Sequence, residues 1–118
     1  MTLLTALSQA NTMRPNAADD TIKVAQLYEL EGDVAEMLGV TPPTNQYDPT
    51  SDDDYELLMP FPYDEIYRWY LMAMIDLANE ETSLYADDMS MFNAAWNRAA
   101  SWYRRTTMPK NKQNWRVM

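Results

Sequence analysis

The chain contains no cysteine, no histidine and only two glycines among its 118 residues. Without cysteine there is no disulfide framework, no thiolate nucleophile and no sulfur-ligated zinc. The missing histidine removes the commonest general base and the commonest metal ligand. Gly32 and Gly39 alone cannot build a phosphate-cradling loop, which needs several residues free of a Cβ. No apolar run approaches the ~20 residues of a membrane span, and the stretch from Met1 to Gln9 lacks the basic start and long apolar core of a signal peptide. These absences exclude most familiar enzyme designs. They predict a protein that is not an enzyme, needs no cofactor or metal, and is soluble and made in the cytoplasm.

Hydrophobic residues make up 47% of the chain, enough for a real core despite a formal charge of -9. The length suits one domain. Its charge is distributed unevenly. Residues 1–103 hold all eighteen acids against Arg14, Lys23, Arg68 and Arg98, a balance of -14. Residues 104–118 hold Arg104, Arg105, Lys110, Lys112 and Arg116 with no acid, a balance of +5. Such asymmetry points to a terminus that seeks an acidic surface.

Helical spacing dominates the rest. Thr2 can cap a short helix to Met13, with Leu3, Leu7 and Ala10 on one face, and the residues before Pro15 end it. A second helix starts near Asp19 or Asp20, carries Leu27, Leu30, Val34, Met37 and Leu38 inward, and stops at Gly39. Residues 40–62 form a long connection with five of the seven prolines, from which Leu57-Leu58-Met59 can dock on the core. A third helix is expected from Tyr63 to about Asn79, with Pro62 in its first turn and Ile66, Tyr70, Ala73 or Met74, and Leu77 facing inward. A fourth runs from about Ser83 to Thr106, where Tyr85, Met89, Phe92, Trp96, Ala99 and Tyr103 repeat by fours and threes until Pro109. The expected fold is therefore all-α. It is a small bundle of about four helices with a long C-terminal antiparallel hairpin, a Pro/Asp-rich loop at 40–62 and an extended tail at 108–118 beyond a domain of residues 1–107. Paired from the turn at residues 79–82, the last helix outruns its partner by about two turns. Trp102 and Tyr103 sit in that overhang, to be covered by the N-terminal helices or by another molecule.

Several constellations invite a chemical reading. Asp48, Asp52, Asp53, Asp54 and Glu56 are contiguous rather than alternating and lack the glycine of a calcium loop, so they read as a solvated acidic loop that would repel phosphates. Adjacent acids such as Asp87-Asp88 and Glu80-Glu81 point about 100° apart on a helix and do not converge on a substrate. The many aromatics lie in an acidic stretch, unlike a base-stacking platform, and read mainly as core. Trp69, Met72 and Trp102 fall off the apolar stripes and suggest an interface. A tail that ends in Trp115, Arg116 and Val117 is either a frayed terminus or a segment that orders on binding, with the second favoured because Trp and Arg dominate binding hot spots.

From residue 56 onward the sequence resembles a known family. The string Glu56-Leu57-Leu58-Met59-Pro60-Phe61-Pro62-Tyr63-Asp64-Glu65-Ile66-Tyr67, then Tyr70 to Asn79, Asp88 to Trp96, Trp102-Tyr103-Arg104-Arg105-Thr106 and Met108-Pro109, is similar to small head–tail adaptor proteins of tailed bacteriophages, also called connector or head-completion proteins. More loosely, Ala6-Leu7 to Asn16, Asp19-Asp20 and Leu30-Glu31-Gly32 fit as well, so the likeness covers nearly the whole chain. Members often carry glycine at the position of Glu80. The resemblance implies a mostly helical virion protein of the neck, assembled in the host cytoplasm. It would form a ring with neighbouring copies of itself, usually of twelve, beneath the portal protein. That ring extends the DNA channel, through which DNA passes without sequence-specific binding, and offers a platform for the downstream stopper or tail protein. On this expectation Trp102, Arg104, Arg105, Lys110, Lys112, Trp115, Arg116 and Val117 would dock on the portal or a neighbour, while Asp48, Asp52, Asp53, Asp54 and Glu56 could face the channel. No membrane is involved. The alternative is a small acidic phage-encoded cytoplasmic protein that mimics DNA charge to inhibit a host protein.

Overall fold

Thr2 opens the first helix as a true cap, its side chain accepting from the Thr5 backbone N–H at 3.2 Å. In the computed structural model, which describes residues 1–17, 19–43 and 55–107, four helices follow: α1 (Leu3–Met13), α2 (Asp20–Leu38), α3 (Glu65–Ala78) and α4 (Thr82–Thr107). Asp19 caps α2 through Thr21 at 3.0 Å, and Gly39 closes it in the left-handed conformation with φ 70°. Among the described residues there is no strand. A single backbone bridge joins Thr2 to Glu56. The all-α expectation holds; of the loop and tail, residues 44–54 and 108–118 lie outside the described residues, and with them Asp48, Asp52, Asp53, Asp54, Lys110, Lys112, Trp115, Arg116 and Val117.

α3 and α4 form the antiparallel hairpin. Glu65 meets Arg98, Tyr70 meets Phe92 and Asp76 lies near Asp88, so partners rise along one helix as they fall along the other. α1 packs mainly on α3, and α2 packs on α3 and α1. Between them lies a core of Leu3, Leu7, Leu27, Ile66, Tyr67, Leu71 and Ile75, each a few per cent exposed or less. A fully buried aliphatic side chain of this kind contributes roughly 2 kcal/mol. Segment 55–59 completes that core: Leu57 and Met59 are buried, and it is pinned to α1 by Leu3 N–H to the Tyr55 carbonyl and Leu57 N–H to the Met1 carbonyl, both 2.9 Å.

The third helix differs from its expected phase. It begins at Glu65, with Pro62 in the preceding turn, and its buried face is Ile66, Tyr67, Leu71, Met72, Ala73, Ile75 and Asp76. Leu77, expected inside, is 54% exposed, and Met72, expected at an interface, is 1% exposed. The reason is coverage from two sides. α1 and α4 both press on α3, so its apolar arc is wider than one stripe. Trp69 is half-buried, its Nε1 donating to Glu65 at 3.3 Å beneath the Arg68 guanidinium.

Candidate docking surface

Arg98 fixes where the overhang starts. It pairs with Glu65 at the first residue of α3, so residues 99–107 of α4 run past their partner by about 13 Å, or some two and a half turns. The chain's own residues partly cover this stretch. Trp102 stacks on Tyr63 with ring centroids 4.8 Å apart and planes 22° from parallel. The Arg98 guanidinium lies 5.5 Å from the same tyrosine ring. Tyr103 donates its hydroxyl to the Leu38 carbonyl at 2.9 Å, tying the overhang to the end of α2. Trp102 and Tyr103 are therefore half-buried rather than free, and of the two coverings left open by the sequence, the α2 end and the turn before α3 supply the observed one.

What stays open is the rim. Arg104 and Arg105 are exposed in the last turn of α4, and neither has a salt bridge among the described residues. A cation there also complements the negative end of the helix dipole, which accounts for part of their placement. Arg104 Nη2 donates to Ser101 Oγ at 3.3 Å. Phe61, in the turn that carries Tyr63, is 85% exposed, the most exposed large apolar side chain described. Sequence reading passed over Phe61; its flanking prolines, which hold it in a turn where no helix face can bury it, were the available signal. Of the acidic set only Glu56 is described. It is 70% exposed and accepts from the Met1 amino group at 3.1 Å. Burial lowers the pKa of that amino group, but the hydrogen bonds and charges of Glu56 and Asp64 outweigh it and raise the value.

Two buried carboxylate sites also escaped the sequence reading. Glu31 of α2 is fully buried; its Oε2 accepts from the Leu58 N–H at 2.9 Å and its Oε1 from the Tyr67 hydroxyl at 2.6 Å, while that hydroxyl accepts from the Met59 N–H at 2.9 Å. The network holds segment 57–59 against the core. Near the hairpin turn, Arg14 Nε donates to Asp76 Oδ1 and Asp88 Oδ2, and its Nη2 to Asp88 Oδ1, each at 3.1 Å. Asp76 is fully buried and Asp88 nearly so, and one guanidinium faces two carboxylates. Burial, then the hydrogen bond and charge of Asp88, push the Asp76 carboxyl up to about 7 against the pull of Arg14. A carboxylate pair that shares its charge is a familiar acid–base device; here both carboxyls are buried against one guanidinium, and the three groups clamp the end of α1 to α3 and α4. Asp87 faces solvent beside it, as adjacent helical positions require. Among the described residues no group of three or more acids could hold a metal ion, and no helix is long and apolar enough to cross a membrane.

Against this geometry, comparisons with protein-family models, curated proteins and solved structures found no match for the chain.

Proposed function

We propose that the protein is a head-to-tail adaptor of a tailed bacteriophage, a non-enzymatic subunit that rings the DNA channel beneath the portal. One observation carries this reading. The hairpin ends in an overhang of about 13 Å that presents the exposed Arg104 and Arg105, and the turn whose Tyr63 stacks on Trp102 carries the exposed Phe61, at the opposite end from the turn between α3 and α4. Two and a half helical turns that run past α3, only partly covered by the chain itself and ending in two exposed cations, suit a ring subunit, which needs a contact surface beyond its own core. The strongly acidic remainder of the chain supports it too, because phosphates slide past a negative lumen without sticking. In this arrangement Trp102, held by Tyr63, is a preorganised edge of the docking surface, and Arg104, Arg105, Lys110, Lys112, Trp115, Arg116 and Val117 supply its charged and aromatic anchors.

Adding the purified protein to portal-bearing, DNA-filled heads should produce rings below the portal by electron microscopy. Removing residues 108–118 should abolish attachment while helical content stays unchanged. Absence of rings, together with absence of the protein from gradient-purified particles by mass spectrometry, overturns the adaptor reading. Salt-sensitive binding to a basic host protein would then favour the charge-mimicking inhibitor.

A further inference from the structure

α2 and α4 lie on either side of α3 without packing closely on each other, and the gap between them is an open groove of about 610 Å³. Leu30 and Met37 line one wall, Phe92 and Trp96 the other, and Asp33 and Glu36 stand on the rim. Neither rim carboxylate, nor Glu29 beside them, forms a salt bridge among the described residues. The last turn of α2 holds no basic residue, so its negative dipole end adds to theirs. Tyr70 reports the resulting field: burial, then the charges of Glu29 and Asp33, hold its hydroxyl above the usual phenol range.

An apolar floor under an uncompensated negative rim calls for a cationic segment with an aromatic anchor, and the chain carries one. We propose that this groove is the seat of the chain's own C-terminal segment, residues 108–118, with Trp115 as the apolar anchor and Lys110, Lys112 and Arg116 opposite the α2 carboxylates. Reach permits it. Trp96 lies eleven residues before Thr107, ~17 Å back along α4, whereas the eight residues from Thr107 to Trp115 span up to ~27 Å when extended. Direction permits it as well, because α4 ends beside the C-terminal end of α2, where Tyr103 bonds Leu38. The other segment outside the described residues, 44–54, carries four acids and no base and is repelled by the same rim. Tethering raises the local concentration of the tail far above that of a second molecule.

The absence of cysteine makes the test direct. In the full chain, Asn93→Cys on the groove edge and Asn114→Cys in the tail are combined, and disulfide formation under mild oxidation is followed by gel mobility and mass. A comparison pair joins Asn114→Cys to Ser8→Cys, exposed on α1 outside the groove. The expected result is an intramolecular bond in the monomer, forming at least ten times faster than in the comparison pair. Asp33→Lys with Glu36→Lys, both at exposed positions, should slow it about tenfold, and 0.5 M salt should slow it severalfold as screening shortens. Circular dichroism of each variant confirms that the helices are intact. Equal rates for the two pairs, disulfide-linked dimers as the main product, or a rate indifferent to the charge reversals would each overturn the proposal.

Discussion

α3 and α4 are partners in one hairpin, yet they are held in opposite ways. α3 buries seven of its 14 residues, including the full volumes of Ile66, Tyr67, Leu71 and Met72. α4 has 26 residues, and among its described side chains only Asp88, Ala95 and Ala99 are buried. Its large groups, Phe92, Trp96, Trp102 and Tyr103, lie half-covered along the surface. The two alanines let α4 approach α3 closely, but they contribute little apolar area. The charged contacts grade the same way along the hairpin: Asp88 ties the near end of α4 into the buried clamp and Glu31 locks segment 57–59 and α3 from inside, whereas Arg98 holds the far part of α4 from outside. A body sealed by a charged network and an arm laid upon it are therefore different kinds of structure within one small chain. The arm is the part with surface left to offer.

Breaking the sealed side should have the largest effect. Glu31→Ala removes the bonds from the Leu58 N–H and the Tyr67 hydroxyl and opens a cavity, so a loss of about 3–5 kcal/mol is expected by urea unfolding. Tyr67→Phe, which keeps the volume but removes the donor to Glu31 and the acceptor of the Met59 N–H, should cost about 2 kcal/mol. Should Glu31→Ala cost no more than Trp96→Ala, the distinction between body and arm fails.

The clamp at the hairpin turn is tested by pH. The folded Asp76 carboxyl titrates near 7, above its unfolded value near 3.8, so the proton it holds stabilises the fold at low pH and that contribution fades as pH rises through about 7. Asp76→Asn keeps an acceptor for Arg14 but removes the titration. The variant should gain on the parent by about 2 kcal/mol between pH 5 and pH 8, read from paired denaturation curves. A constant difference across that range would mean that Asp76 stays ionised throughout.

On the arm, Trp102→Ala removes the stack on Tyr63 and should cost only about 1 kcal/mol globally. Its sharper signature is local: amide exchange in residues 99–107 should accelerate while α1 and α3 stay protected. Uniform acceleration would show that the overhang is part of the body.

How much of this was legible beforehand depends on what carried the signal. Thr2, Asp19 and Gly39 act through backbone groups a few residues away, so the sequence marks them and the helix limits follow to within a residue or two. The overhang followed from helix lengths alone. The face of α3 does not, because helical spacing predicts one stripe and an exposed Met72 where two helices cover the element and bury that side chain. Glu31 stands four residues after Leu27 and three before Val34, on the inner face of α2, and an acid in such a place was itself the missed clue. Asp76 and Asp88 come from different helices and Arg14 from a third, so nothing in local spacing could join them. The candidate docking set was legible as charge and aromatic composition, and the stack of Trp102 on Tyr63 was not, since it depends on how the turn at 61–64 folds over the overhang.

The smallest expected effect sits where body and arm are joined. Glu80, in the turn between α3 and α4, has φ 59°, a conformation that costs a residue with a Cβ about 1 kcal/mol and glycine almost nothing. Its side chain is exposed and forms no salt bridge among the described residues, so Glu80→Gly removes strain without removing a contact. Glycine also gains freedom in the unfolded chain, which offsets part of the relief. A net stabilisation of about 0.5 kcal/mol is expected, a rise of roughly 2–4 °C in Tm by calorimetry. Glu80→Val should go the other way, because a β-branched side chain fits a positive φ worst. The pair of variants separates two origins of the hairpin's geometry. If glycine stabilises and valine destabilises, the turn is imposed on residue 80 by the packing of α3 and α4, with Arg14 clamping Asp76 and Asp88 across it. If both are neutral, the turn relaxes freely, and the arm is positioned by contacts along its length instead.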